Sequence, residues 1–222
     1  MTESIREGIR TMAHKPLRSD TERNRRNLIQ AAVKLSSASS EPLNMTEVAR
    51  AAEVSPATAY RQFASVEDIL SEYRFEVGCR MRDYSRTLEG FGLERLEALC
   101  RCWVGLVVEH GDAMVANRSK HGYLDRLRQD TYYLTVQAEA LFEPLQQSAK
   151  ELGIRDIGDE ALFLWNLLFD PREIFDLLNT VGLSEERVGT QLFAAFEGAL
   201  AGWARVRGDR DETRSWSPRA TP

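Results

Sequence analysis

Between Ser19 and Asp68 four helix beginnings follow one another closely, and this crowding constrains the fold more than any other feature. Ser19 stands three residues before Glu22, Asn44 before Glu47 and Ser65 before Asp68. Each pair sets a capping side chain against an acid in the first helical turn. The fourth beginning is Ser55 followed by Pro56, where proline's missing N–H falls on a position with no intrahelical acceptor. Leu28, Ile29, Ala32 and Leu35 give the first helix an apolar face. It is expected to fray from Ser36 to Ser40 and cannot pass Pro42. The helix after Asn44 carries Val48 and Ala49 inward and ends at Ala52-Glu53-Val54. With the helix that follows, its length and spacing are those of a helix-turn-helix.

Helical periodicity continues beyond Ser65, and no stretch alternates as a half-buried strand does. A helix carrying Ile69, Leu70 and Tyr73 is expected to about Thr87, and another after Gly90 and Gly92 with Leu96, Leu99, Trp103 and Val107 on one side. Gly111-Asp112 and Gly122 read as breaks. A long helix spans about 131–152, with Leu134, Ala138, Leu141 and Leu145 as its stripe, and Pro144 predicts a kink or a short interruption. Two apolar helices close the chain, about 159–181, interrupted near Asp170-Pro171, and about 185–207, separated by Gly182-Leu183-Ser184. The fold class is all-α. Four regions are expected: a flexible basic arm (1–18), a three-helix helix-turn-helix domain (19–66), a helical ligand-sensing and dimerisation domain (67–207) and a disordered tail (208–222).

A content of 43% hydrophobic and 28% charged residues excludes a disordered or membrane-embedded chain. No apolar run approaches the roughly 18 residues of a membrane span. The opening MTESIREGIR lacks the apolar core of a secretory signal, so a cytoplasmic location without a membrane partner is expected. The net charge of −5 is unevenly spread. Residues 1–66 hold 10 Lys/Arg against 7 Asp/Glu, a balance of +3, and residues 67–222 hold 19 against 27, a balance of −8. Such a chain suits contact with phosphates at one end only. Arg6, Arg10, Lys15 and Arg18 make the arm either a solvated tail or a minor-groove contact. Cys79, Cys100 and Cys102 are odd in number, and a C-x-C pair on a helix points in two directions. They read as packing residues, and His14, His110 and His121 show no ligand spacing to them, so no metal and no cofactor is expected. No nucleophile–base spacing, phosphate loop or dinucleotide fingerprint marks an enzyme.

The helix opening at Pro56 displays Ala57, Thr58, Tyr60, Arg61 and Gln62. A methyl, a hydroxyl, a phenol, a guanidinium and an amide within two turns suit the major groove, which admits one helix and offers base edges to it. Ser55 and the first N–H groups suit a phosphate. The run from Leu43 to Phe63, LNMTEVARAAEVSPATAYRQF, resembles the DNA-binding signature of the TetR family. That signature has an apolar-Ala pair, an Ala-Gly-Val-Ser turn, a Thr-x-Tyr and an aromatic-ended recognition helix in this order. Leu28-Ile29-x-Ala31-Ala32 matches the family's first helix, and Ser65-x-Glu67-Asp68-Ile69-Leu70 the start of its fourth. Two departures stand out. Glu53 occupies the place of the turn glycine, where a left-handed conformation costs a side chain on the order of 1 kcal/mol. Val66 replaces a lysine that commonly anchors a phosphate. Beyond residue 75 the likeness is architectural, although Asp170-Pro171-Arg172-Glu173-Ile174 to Trp203 is similar to the last helices of some actinobacterial members.

The resemblance implies a sequence-specific transcriptional regulator on double-stranded DNA. It implies a homodimer that represses from a palindromic operator and is released by a small apolar or aromatic effector. Thr46, Ser55, Pro56, Ala57, Thr58, Tyr60 and Gln62 carry over as DNA-facing positions, with Arg61 beside them. Trp103 and Trp165 are the first candidates for an effector cavity, since family members build theirs between these helices. Val107, Tyr123, Phe142 and Phe169 complete the set, with His110, Arg118 and His121 either orienting a polar group or lying at the surface. Phe163, Val188, Leu192, Ala195, Ala199 and Trp203 are the expected dimer interface, flanked by the small residues Ala194, Gly198, Ala201 and Gly202. The alternatives are a ligand-independent architectural DNA-binding protein and a helical protein-interaction module.

Overall fold

The structure is a computed structural model that describes residues 16–38, 41–115, 120–129, 131–154 and 157–207. Every regular element among the described residues is helical. The chain divides into two units between Tyr73 and Arg74. The first unit contains α1 (Pro16–Ala38), α2 (Met45–Ala51), α3 (Pro56–Gln62) and the start of α4 (Val66–Thr87). α1 opens three residues ahead of the cap expected at Ser19. A proline at its first position tolerates that start, since nothing there requires an N–H. Residues 16–18 of the expected arm are thus helical; residues 1–15 and the expected tail, 208–222, lie outside the described residues. The other caps fall where the sequence puts them. Asn44 Oδ1 accepts from the Glu47 N–H at 3.0 Å, and the Asn44 N–H donates to Glu47 Oε2 at 3.3 Å. Ser65 Oγ accepts from the Asp68 N–H at 3.1 Å. Leu28, Ile29 and Ala32 bury with Met45, Val48, Ala49, Ala59, Phe63, Ile69 and Leu70 to form this unit's core.

The turn after α2 is a Schellman motif. The Glu53 N–H reaches the Arg50 carbonyl at 3.2 Å and the Val54 N–H the Ala49 carbonyl at 3.0 Å. Glu53 has the left-handed φ of 57° expected at a position where glycine is usual. The same motif closes a later helix at Leu152-Gly153-Ile154, there with a glycine at φ 70°. Glu53→Gly is therefore expected to stabilise the protein by about 1 kcal/mol, read as a higher urea midpoint at unchanged slope. A lower midpoint would show that the Glu53 side chain offsets its backbone cost.

The second unit continues α4 and adds α5 (Gly92–Val115), α6 (Tyr123–Arg128), α7 (Tyr132–Glu151), α8 (Asp159–Leu168), α9 (Pro171–Phe175), a wide π-helical turn (Asp176–Thr180) and α10 (Glu185–Arg207). α5 packs on α7 and α10 through Leu96, Leu99, Trp103, Val107, Leu141, Leu145, Phe196 and Leu200. The break expected at Gly111 does not occur. A Cβ there would lie 2.6 Å from the Phe175 ring, so the glycine permits a close approach inside a continuous helix. α7 likewise runs through Pro144 without interruption. Proline leaves the Ala140 carbonyl without its helical N–H, and the buried Ser85 Oγ donates to that carbonyl at 2.8 Å. Ser85→Ala orphans the carbonyl and should cost about 1–3 kcal/mol, measurable by urea unfolding. A cost below a few tenths would mean that the carbonyl is satisfied in another way. No helix among the described residues is long and apolar enough to cross a membrane.

Candidate nucleic-acid interface and cavity

α3 is built to present one face. Ser55 Oγ accepts from the Thr58 N–H at 3.1 Å, and Pro56 occupies the first turn. Ala59 and Phe63 face the core, where the Arg25 guanidinium sits 4.4 Å above the Phe63 ring and pairs with Glu72 at 3.0 Å. With that side fixed, Ser55, Pro56, Ala57, Tyr60 and Arg61 are exposed, Thr58 and Gln62 are half-buried, and Thr46 is exposed on α2. Tyr60 is the most open of the aromatic residues here, at 58% exposure. Thr58 Oγ1 lies 3.0 Å from Ser55 Oγ and accepts from Arg61 Nη2 at 3.4 Å, so its hydroxyl is already engaged. The nominated DNA-facing positions thus all reach solvent at least in part.

The second unit holds a half-open cavity of about 690 Å³. Trp103, Tyr123, Trp165 and Phe169 line one part of it. Trp165 stacks on Phe169 at 4.3 Å between ring centroids and tilts against Trp103 at 6.0 Å, and Trp103 Nε1 donates to the Phe169 carbonyl at 2.9 Å. Of the other nominated residues, Val107 lies in the core away from the cavity, and Phe142 borders a separate small cleft beside Ile157 and Leu162. His121 lines the cavity and meets Asp125 at 2.9 Å. His110 is elsewhere, 2.6 Å from Arg80 Nη1, with its pKa lowered by burial. Arg118 lies outside the described residues.

Tyr133, an aromatic residue the sequence also offers for a cavity, lines it too, whereas sequence reading missed Arg74, Arg126 and Gln137. Arg126 Nη1 donates to the Tyr133 hydroxyl at 3.0 Å, and the Arg74 guanidinium lies 5.5 Å from the centre of the Tyr133 ring. Burial pushes the Tyr123 phenol up from its ordinary range. The Tyr123 hydroxyl and Arg126 Nε find no hydrogen-bond partner among the described residues.

The stripe expected at a dimer interface divides. Val188 is fully buried and Leu192 nearly so within the chain's own second unit, where Leu192 lines the cavity. These two are core, because α10 turns that face onto α5. The outward face carries exposed Ala195, half-buried Ala199 and exposed Trp203. The exposed Phe163 of α8 stacks with Trp203 at 6.3 Å.

The helical arrangement recurs in solved structures. A candidate transcriptional regulator from Pseudomonas aeruginosa PAO1 superposes with a TM-score of 0.56 at 20% identity, covering 82% of this chain and 92% of that one. A TetR-family transcriptional regulator from Streptomyces coelicolor gives 0.51 at 17% identity, covering 83% and 89%. The chain has the TetR-family fold. A scan of family models finds none that matches the sequence, and a search of curated proteins finds no match. Within this fold α2 and α3 make the helix-turn-helix, and the cavity belongs to the unit that begins at Arg74.

Proposed function

We propose that the protein is a cytoplasmic transcriptional regulator without catalytic activity of its own. It binds a palindromic operator as a homodimer through α3 and is released when a small molecule enters the cavity. The observation that carries this reading is α3 itself. Its cap, its proline and its buried Ala59 and Phe63 leave Ser55, Ala57, Tyr60 and Arg61 free to meet DNA. The TetR-type fold supports it, as does the positive balance of residues 1–66 on an otherwise acidic chain. Domains running 19–66 for DNA and 67–207 for sensing and dimerisation belong to the same proposal. Release needs only a coupling of about 1–3 kcal/mol, which changes DNA affinity by roughly 5–150-fold.

The test is binding to duplexes from the chain's own promoter neighbourhood across a salt series. Tight binding should appear at a palindrome, with a log–log slope near −0.9 for each phosphate contact. Absence of salt-dependent binding to any duplex would favour a protein-interaction module. Binding that no small molecule reverses would favour an architectural protein.

A further inference from the structure

We infer that the effector is an organic acid, its carboxylate held by Arg126 and Tyr123 and its apolar body laid against Trp103, Trp165 and Phe169. This rests on reading the cavity as the effector site. Tyr123 is only 6% exposed, yet its hydroxyl has no partner among the described residues, and neither has Arg126 Nε. Buried polar groups are nearly always paired, so two unpaired ones on residues that line one cavity mark a place where something else pairs them once a side-chain rotation opens these atoms to it. The two residues stand three apart on α6 and therefore share a face, and the Arg126 charge acts on the Tyr123 phenol.

The chemistry of the missing partner follows from what is offered. Arg126 Nε–H can only donate, and a phenol whose ionisation is suppressed by burial stays a donor. A partner for both is an acceptor, and one beside a guanidinium gains most by being anionic. The guanidinium is already oriented, since Arg126 Nη1 donates to the Tyr133 hydroxyl. Arg74, itself 6% exposed and lying over the Tyr133 ring, adds a second positive charge to the same wall. The acids of the lining do not cancel this field. Asp170 is engaged by Arg172 at 2.9 Å, and Glu173 and Asp176 are exposed, where water screens them. The rest of the ligand meets stacked aromatic rings, which favour a flat or aliphatic body.

Calorimetry without DNA tests this with phenylacetate, 1-naphthylacetate and decanoate, each against its primary amide. In at least one pair the acid should bind about tenfold or more tighter than the amide, the scale of a hydrogen bond to a charged group. Arg126→Gln and Tyr123→Phe should each erase that advantage and leave the amide's affinity little changed. Tyr123→Phe keeps the ring and removes only an unpaired buried hydroxyl. Its ligand-free melting temperature should therefore hold or rise, which separates lost binding from lost folding. Equal affinity of acid and amide in every pair, binding by none of the acids, or an acid preference that survives both substitutions would each overturn the inference. The same acids are then added to the protein–operator complex. An acid that binds with the expected preference but releases no DNA leaves the ligand chemistry standing and removes the regulatory role.

Discussion

Ala195→Glu is expected to convert the proposed dimer into a folded monomer and to lower operator affinity by about 100-fold or more. The scale comes from avidity, because two linked modules gain on the order of 10²–10⁴ over one. Position 195 is exposed on the outward face of α10, so a glutamate there is solvated in the monomer and disturbs no core. In a two-fold interface each copy would bring its carboxylate toward the other, and burying unpaired charge costs several kcal/mol. Gly198 and Gly202 offer a gentler test. A Cβ at either meets nothing within 4 Å in the protomer, so Gly198→Ala should strengthen the helix by about 1 kcal/mol. The same methyl would hold a partner helix away, so Gly198→Ala should weaken dimerisation while stabilising the monomer. Sedimentation at micromolar concentration reads both substitutions. A wild-type monomer removes the interface, and a dimeric Ala195→Glu moves it off this face.

Three of the four caps expected in the first unit were legible because their chemistry is local, and only Ser19 falls inside its helix. Asn44 with Glu47, Ser55 with Thr58 and Ser65 with Asp68 each close a bond within three residues, and the helices begin there. Where the reading failed, the decisive partner is distant in sequence. Gly111 looks like a break until the Phe175 ring is seen against it, and Pro144 looks like an interruption until Ser85 is seen on the Ala140 carbonyl. The cavity divides in the same way. Its aromatic part announces itself through Trp103 and Trp165 in apolar helices, whereas nothing in the sequence sets Arg74 and Arg126 apart from the chain's other helix charges. The last helix carries apolar and small residues around most of its circumference, so periodicity alone does not say which side turns inward. Val188 and Leu192 turned out to be core, and Ala195 and Ala199 reach the surface.

Gln62→Ala and Tyr60→Phe are expected to fail in different ways, and the difference tests α3 as the element that reads DNA. Gln62 closes α3 half-buried, its stem held by the fold and its amide suited to pair both edge groups of an adenine. Such a contact is worth roughly 1–3 kcal/mol of discrimination, and a dimer would lose it at both half-sites. Tyr60, largely exposed, has a hydroxyl suited to a phosphate, a contact that positions without reading sequence. Tyr60→Phe should therefore weaken every duplex by a similar factor, about 1 kcal/mol per half-site, and leave the preferred sequence intact. Thr58 is a poorer reader than its place in the helix suggests, because Ser55 and Arg61 already engage its hydroxyl. Thr58→Val should act mainly through that local network. Ser55→Ala should cost about 1 kcal/mol of stability by removing the cap that holds the helix in position. Selection from randomised duplexes with each variant separates these outcomes. A flattened profile for Gln62→Ala beside an unshifted one for Tyr60→Phe supports the assignment. If both variants change the selected sequence alike, or neither changes affinity, another element reads the DNA.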